Sequence, residues 1–92
     1  MIVFCKVKLR LYMVQSLKDK RSIIKSLQEK LQQKYNIAIS ELENNDNLKK
    51  SVLGIVSIAN DNIYLEKITN QIIGFIDDIP EVEIINYDVE YI

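Results

Sequence analysis

Three cations alternate along the opening segment of this 92-residue chain, at Lys6, Lys8 and Arg10. On an extended strand, alternate side chains project from one face about 7 Å apart, close to the spacing of successive phosphates on a nucleic-acid strand. Phe4 and Tyr12 share that parity and offer a surface for base stacking. A second group, Lys18, Lys20, Arg21 and Lys25, falls near the start of a segment with helical periodicity. Free backbone amides at a helix start already favour anions, so cations there work against the helix dipole. That arrangement suits a phosphate or an acidic partner. Each group also has a plainer reading. Asp88 and Glu90 stand ready to neutralise the strand trio across the ladder, and a helix surface can be lysine-rich without binding anything.

The basic residues are unevenly placed. Nine of the twelve lie in the first 34 positions, beside only Asp19 and Glu29, which makes that stretch net +7. Residues 35 to 92 carry three lysines against eleven carboxylates, net −8, so the overall charge of −1 conceals a polarised molecule. A domain of this kind can present one face to a polyanion or an acidic protein surface without binding nucleic acid indiscriminately.

Enzymatic chemistry finds few groups to use. Cys5 is the only cysteine and there is no histidine, which removes the usual ligands for zinc, haem and iron–sulfur clusters and any intramolecular disulfide. Cys5 also falls on the core-facing parity of its strand, where it acts as a small apolar side chain. Ser16 has no histidine to activate it and sits where a helix cap belongs; a serine–lysine pair with Lys18 or Lys20 has no further support. Glu41, Glu43 and Asp46 could gather around a hard cation, or be ordinary acids at a loop edge. Asp77 and Asp78 sit near a helix end, where turn formation and solubility account for them. The glycine loops of nucleotide sites are missing. The sequence therefore predicts a protein that is not an enzyme and needs no metal or cofactor. No run of apolar residues is long enough for a membrane span, and the opening residues lack the form of a signal peptide, so a cytoplasmic location without membrane partners is expected.

The elements that position these residues follow from periodicity. Residues 2 to 13 alternate, with Val3, Cys5, Val7, Leu9, Leu11 and Met13 facing one way and the cations the other. One face is buried and one solvated. Ser16 and Asp19 form a capping box ahead of a helix, in which Leu17, Ile24, Leu27 and Leu31 make an apolar stripe flanked by Ile23. Tyr35 and Asn36 end that helix. A second strand covers residues 37 to 43, and the asparagine-rich run 44 to 47 turns the chain. A third strand covers residues 52 to 59, where Gly54 marks a bulge or a close approach. After caps at Asn60, Asp61 and Asn62, a second helix buries Leu65, Ile68, Ile72, Phe75, Ile76 and Ile79, and Pro80 stops it. Residues 82 to 92 supply the last strand.

Strand, helix, strand, strand, helix, strand predicts an α+β ferredoxin-like βαββαβ sandwich occupying residues 1 to 92 as one domain. Its four-stranded antiparallel sheet has spatial order 4-1-3-2, with both helices on one face. The first strand is then central, and Lys6, Lys8 and Arg10 emerge on the face the helices leave open. The last strand is an edge bearing Ile84, Ile85, Tyr87, Val89 and Tyr91, an apolar series for an edge. It is suited to pairing subunits in a symmetric homodimer, or to tucking its C-terminal residues against the helices.

Several segments together resemble the small bacterial YlxP-like family, a conserved domain of unknown function. They are the opening strand, the block Ser16-Leu17-Lys18-Asp19-Lys20-Arg21, the segment Tyr35-Asn36-Ile37-Ala38-Ile39-Ser40-Glu41, and Leu53-Gly54-Ile55 near Asn60-Asp61. Where relatives commonly place a glycine after the second strand, this chain has Asn44 and Asn45. The resemblance implies a ferredoxin-like fold and, through the family's gene neighbourhood of transcription, translation-initiation and ribosome-maturation genes, a role near RNA or the ribosome. It supplies no catalytic residues.

The combined expectation is a binding domain for structured RNA or a ribosomal particle, acting through Lys6, Lys8, Arg10, Lys18, Lys20, Arg21 and Lys25. The alternatives are a protein-interaction or dimerisation module, using the basic patch and the edge at Ile84, Tyr87, Val89 and Tyr91, and a small-molecule regulatory domain.

Overall fold

The computed structural model describes residues 1–44 and 46–92. β1 (Ile2–Leu11) is the strand its alternation predicts, with Val3, Cys5, Val7, Leu9 and Leu11 buried. Burying the other parity would have sunk three cations into the core, which costs far more than exposing them. The predicted strand ends early, however. Met13 lies beyond the last pairing residue at φ 58 and is 98% exposed, so it leaves the core-facing set.

α1 (Leu17–Lys34) begins as its capping box requires, with the Ser16 hydroxyl oxygen accepting from the Asp19 N–H at 3.1 Å. Ile24, Leu27 and Leu31 are buried against the sheet. β2 (Ala38–Glu43) and β3 (Lys50–Ile58) follow. In the turn between them the Asn47 N–H donates to the Asn44 carbonyl, and the Lys49 N–H donates to the Asn47 side chain. Asn44 sits at φ 65, the left-handed region glycine enters freely and asparagine tolerates. The predicted turn also includes Asn45, which lies outside the described residues. α2 (Asn62–Asp77) is capped by the Asp61 carboxylate, which accepts from the Ile63 N–H, and ends at Asp78 ahead of Pro80. β4 (Val82–Tyr91) closes the order.

The sheet runs β2-β3-β1-β4 and all its pairs are antiparallel. One core joins alternate β1 residues to Ile24, Leu27 and Leu31 of α1 and Ile72 and Ile76 of α2, so both helices cover the same face. This is the ferredoxin-like sandwich with its other face open.

Two bulges decide which residues meet. In β4 the register slips so that Asn86 opposes Lys8 while Ile84 opposes Leu9, leaving Ile85 as the extra residue. Ile84, Tyr87, Val89 and Tyr91 thereby share the helix-side face, although strict alternation would split them. In β2 the slip falls at Leu42: Glu41 opposes Leu53, whose side chain enters the core, and Glu43 opposes Val52 on the open face. Leu42 lies over Gly54, where a Cβ would come within 2.6 Å of its methyl carbon. Of the two readings of Gly54, a bulge or a close approach, the structure has the close approach.

Candidate functional site

The open face is less solvated than the alternation of β1 suggests. Phe4, Ala38, Leu42 and Val56 line a shallow apolar depression of about 200 Å³, and Ile58 beside it is 65% exposed. Val52, opposite Lys8 and Glu43, is buried.

The strand trio is drawn into this face pair by pair. Lys6 lies 3.9 Å from Glu43 and stands opposite Asp88 on β4. Arg10 lies 3.5 Å from Glu83, its cross-strand neighbour. Lys8 faces the neutral Asn86 and is exposed without an ion pair among the described residues. Two of the three are thus paired locally, but by Glu43 and Glu83 rather than by Asp88 and Glu90, the partners the sequence offered; Glu90 stands opposite Phe4.

The helical group divides as well. Lys18, Arg21 and Lys25 are exposed along one side of α1, with Lys25 4.0 Å from Glu29. Lys20 requires a correction. Expected among the outward-facing cations, it is 1% exposed, because it continues the buried stripe formed by Ile24, Leu27 and Leu31. Its ammonium lies 3.1 Å from the Glu41 carboxylate and donates to the Asn44 carbonyl. The same carboxylate oxygen accepts from the Ser51 hydroxyl at 2.5 Å. This polar cluster ties α1, β2, the turn and β3 together inside the sandwich, and it takes Lys20 out of reach of any large partner.

The acidic trio is dispersed by the β2 bulge. Glu41 turns inward to Lys20, Glu43 turns outward to Lys6, and Asp46 is exposed in the turn. They form no hard-cation site. No group of three acidic, cysteine or histidine side chains among the described residues is placed to hold a metal ion. Cys5 is buried, and desolvation, with a smaller contribution from Asp88, pushes its thiol from the ordinary 9.0 up to about 11. At neutral pH it is a protonated core residue. Ser16 is engaged as a cap and Ser51 donates to Glu41. Among the described residues, no helix is long and apolar enough to cross a membrane.

Sequence reasoning missed a different cluster. At the end of the sandwich where β1 leaves the sheet, a cleft of about 450 Å³ is lined by Arg10, Tyr12, Met13, Val14, Lys49 and Lys50. Arg10 and Lys50 are direct cross-strand neighbours, a like-charge juxtaposition that destabilises a sheet. Lys49 and Lys50 have no ion pair among the described residues. α1 starts at this end too, and Lys20 reaching the Asn44 carbonyl holds its first turns against the same turn that leads into Lys49. The signal was the dibasic Lys49-Lys50 step, hidden because it belongs to the acidic two-thirds of the sequence.

The edge residues Ile84 and Val89 are half-buried, while Tyr87 and Tyr91 are exposed. Among the described residues, no strand neighbours the outer edge of β4.

Comparison with known proteins agrees with the resemblance read from the sequence. A family described as "Protein of unknown function (DUF503)" matches residues 2–89. The chain is also 32% identical over 83 residues to "Uncharacterized protein YlxP" of Bacillus subtilis (strain 168), a match covering 90% of each chain. The chain belongs to this family.

Proposed function

We propose that this DUF503 protein is a non-enzymatic RNA-binding domain, cytoplasmic and directed at structured RNA or a ribosomal particle. It acts through the basic end of the sandwich rather than across the open sheet. The observation that carries the reading is the gathering of Arg10, Lys49 and Lys50 around one cleft, with α1 and its exposed Lys18 and Arg21 starting at the same end. Arg10 alone of these five has an ion-pair partner among the described residues. Unneutralised cations above an otherwise acidic surface attract phosphates by counterion release, and the acidic remainder sets orientation. Selectivity comes from shape, as is usual for proteins that contact RNA mostly through its backbone.

The test is binding to purified ribosomal subunits and total RNA across a salt series, beside a Lys18→Ala/Arg21→Ala/Lys49→Ala/Lys50→Ala variant. The variant is expected to bind at least about tenfold more weakly at low salt. Its log–log salt slope should flatten by about 3, since each phosphate no longer neutralised removes roughly 0.7–0.9. Unchanged affinity and slope would overturn the assignment.

A second reading has its own observation, the apolar half of the open face at Phe4, Leu42, Val56 and Ile58. It supports contact with a protein, including a second copy of this chain. Val56→Lys/Ile58→Lys should then dissociate an oligomer in sedimentation velocity while leaving RNA affinity unchanged. A wild-type protein that is monomeric at about 100 μM, far above the concentration at which a stable dimer forms, would count against self-association.

A further inference from the structure

Three unfavourable features meet at the cleft where β1 leaves the sheet. Arg10 and Lys50 face each other as like charges across the ladder. Met13 holds a left-handed backbone at φ 58, which costs an unbranched side chain energy that glycine would not incur. The same methionine is 98% exposed, with a half-exposed Tyr12 next to it. A surface selected for stability alone would relieve each of these with one substitution: an acid at position 50, glycine at 13, or a polar side chain at 13. Strain, exposed apolar surface and unneutralised charge in one concavity are together the marks of a ligand site.

The lining defines the ligand's chemistry. Tyr12 and Met13 supply an aromatic ring and a polarisable thioether, both suited to the flat face of a heteroaromatic ring. Arg10, Lys49 and Lys50 supply positive charge along one wall. Glu83 beside Tyr12 holds its phenol above the ordinary value. The volume of about 450 Å³ lies within the range of about 300–1,000 Å³ typical of small-molecule sites. It is too small to admit a duplex and sufficient for a single base with its phosphates.

Resting on the RNA-binding reading, we propose that this cleft holds one unstacked nucleotide of a single-stranded segment. Its base lies against Tyr12 and Met13, and its flanking phosphates meet Arg10, Lys49 and Lys50. The domain thereby prefers single-stranded ends, loops or bulges to continuous duplex. Base stacking on an aromatic ring tolerates any sequence, so the preference is for strandedness rather than for a motif.

Fluorescence anisotropy with a labelled ten-nucleotide RNA, presented single-stranded or as a blunt duplex, tests this at fixed salt. Single strand is expected to bind at least about tenfold tighter, the size of one base–aromatic stack. Tyr12→Ser/Met13→Ser should remove that margin and leave duplex affinity unchanged, while Tyr12→Phe retains it. Both positions are exposed, so the variant keeps its core. Equal binding of the two forms, unaffected by the variant, would overturn the unstacked-base site and leave the RNA reading standing. No binding of either form at about 50 mM salt, where phosphate contacts are strong, would overturn both. Displacement of the strand by an equimolar nucleoside monophosphate would overturn the assignment to a strand in favour of a free nucleotide.

Discussion

Removing the Glu41 carboxylate tests whether Lys20 is a structural residue or a displaced binding residue. In Glu41→Leu the ammonium of Lys20, 1% exposed, loses the anion 3.1 Å away, and the Ser51 hydroxyl loses its acceptor. Breaking a buried ion pair by deleting one partner costs about 3–5 kcal/mol. The Glu41 side chain keeps 18% exposure, which points to the lower end of that range, about 3 kcal/mol. For 92 residues, an unfolding entropy of about 2.1 cal/mol/K per residue gives roughly 0.19 kcal/mol per degree, so Tm should fall by about 15 °C. Urea denaturation followed by circular dichroism measures the change directly, with an unchanged slope if the native state stays compact. The companion variant Lys20→Met/Glu41→Leu replaces both charges with apolar groups of similar volume and should recover to within about 1 kcal/mol of the parent. It should also keep the parent's RNA affinity. A Glu41→Leu cost below about 1 kcal/mol would refute the buried-pair reasoning. So would a double variant less stable than the single.

Cys5 gives a pH-dependent counterpart. Its thiol is raised from 9.0 to about 11 in the folded protein, first by burial and then by Asp88. The folded state therefore keeps a proton that the unfolded chain releases, and stability must fall as pH rises from about 9 to 11, by about 2 kcal/mol in total. Tyr12, raised by its hydrogen bond to Glu83, changes stability in the same direction, so the readout is the difference between the parent and Cys5→Ala. The parent profile should drop more steeply across that window; parallel profiles would contradict a buried, protonated thiol. A thiol reagent at pH 8 should label the native protein far more slowly than the urea-unfolded chain.

The fold was legible because its local signals agree with one another. The alternation of β1 could point only one way without burying cations, and the Ser16–Asp19 cap and Pro80 delimited the helices. Even the β4 bulge has a trace in the sequence, since the apolar phase of Val82 and Ile84 breaks at Ile85 and resumes at Tyr87. Lys20 was misplaced for a traceable reason. It lies four residues before Ile24, on the buried stripe of α1, and its charge argues for the surface while its phase argues for the core. The partition of Glu41 from Glu43 depends on the Leu42 bulge, which no alternation in that short strand announces. The alternation places Met13 in the core because the pattern continues past the point where β1 loses its partners. Periodicity marks which face a residue would take, and pairing decides where the strand stops.

The location of the basic residues in sequence and the location of usable positive charge in space are separate questions. The first third of the chain holds most of the cations, yet Lys20 is neutralised in the core, Lys6 and Arg10 at the sheet surface, and Lys25 along its own helix. Exposed pairs of this kind gain at most about 1 kcal/mol, so the three on the surface are poor evidence of stabilisation. They do cancel the field that a polyanion would sense beyond a Debye length of about 8 Å. What remains is set by the cations without an ion pair among the described residues, and two of these, Lys49 and Lys50, come from the acidic part of the sequence. Lys50 stands opposite Arg10, where an acid would stabilise the sheet and close the cleft to phosphate. Glu83 is paired with Arg10, so the positive charge left to the cleft is that of Lys49 and Lys50.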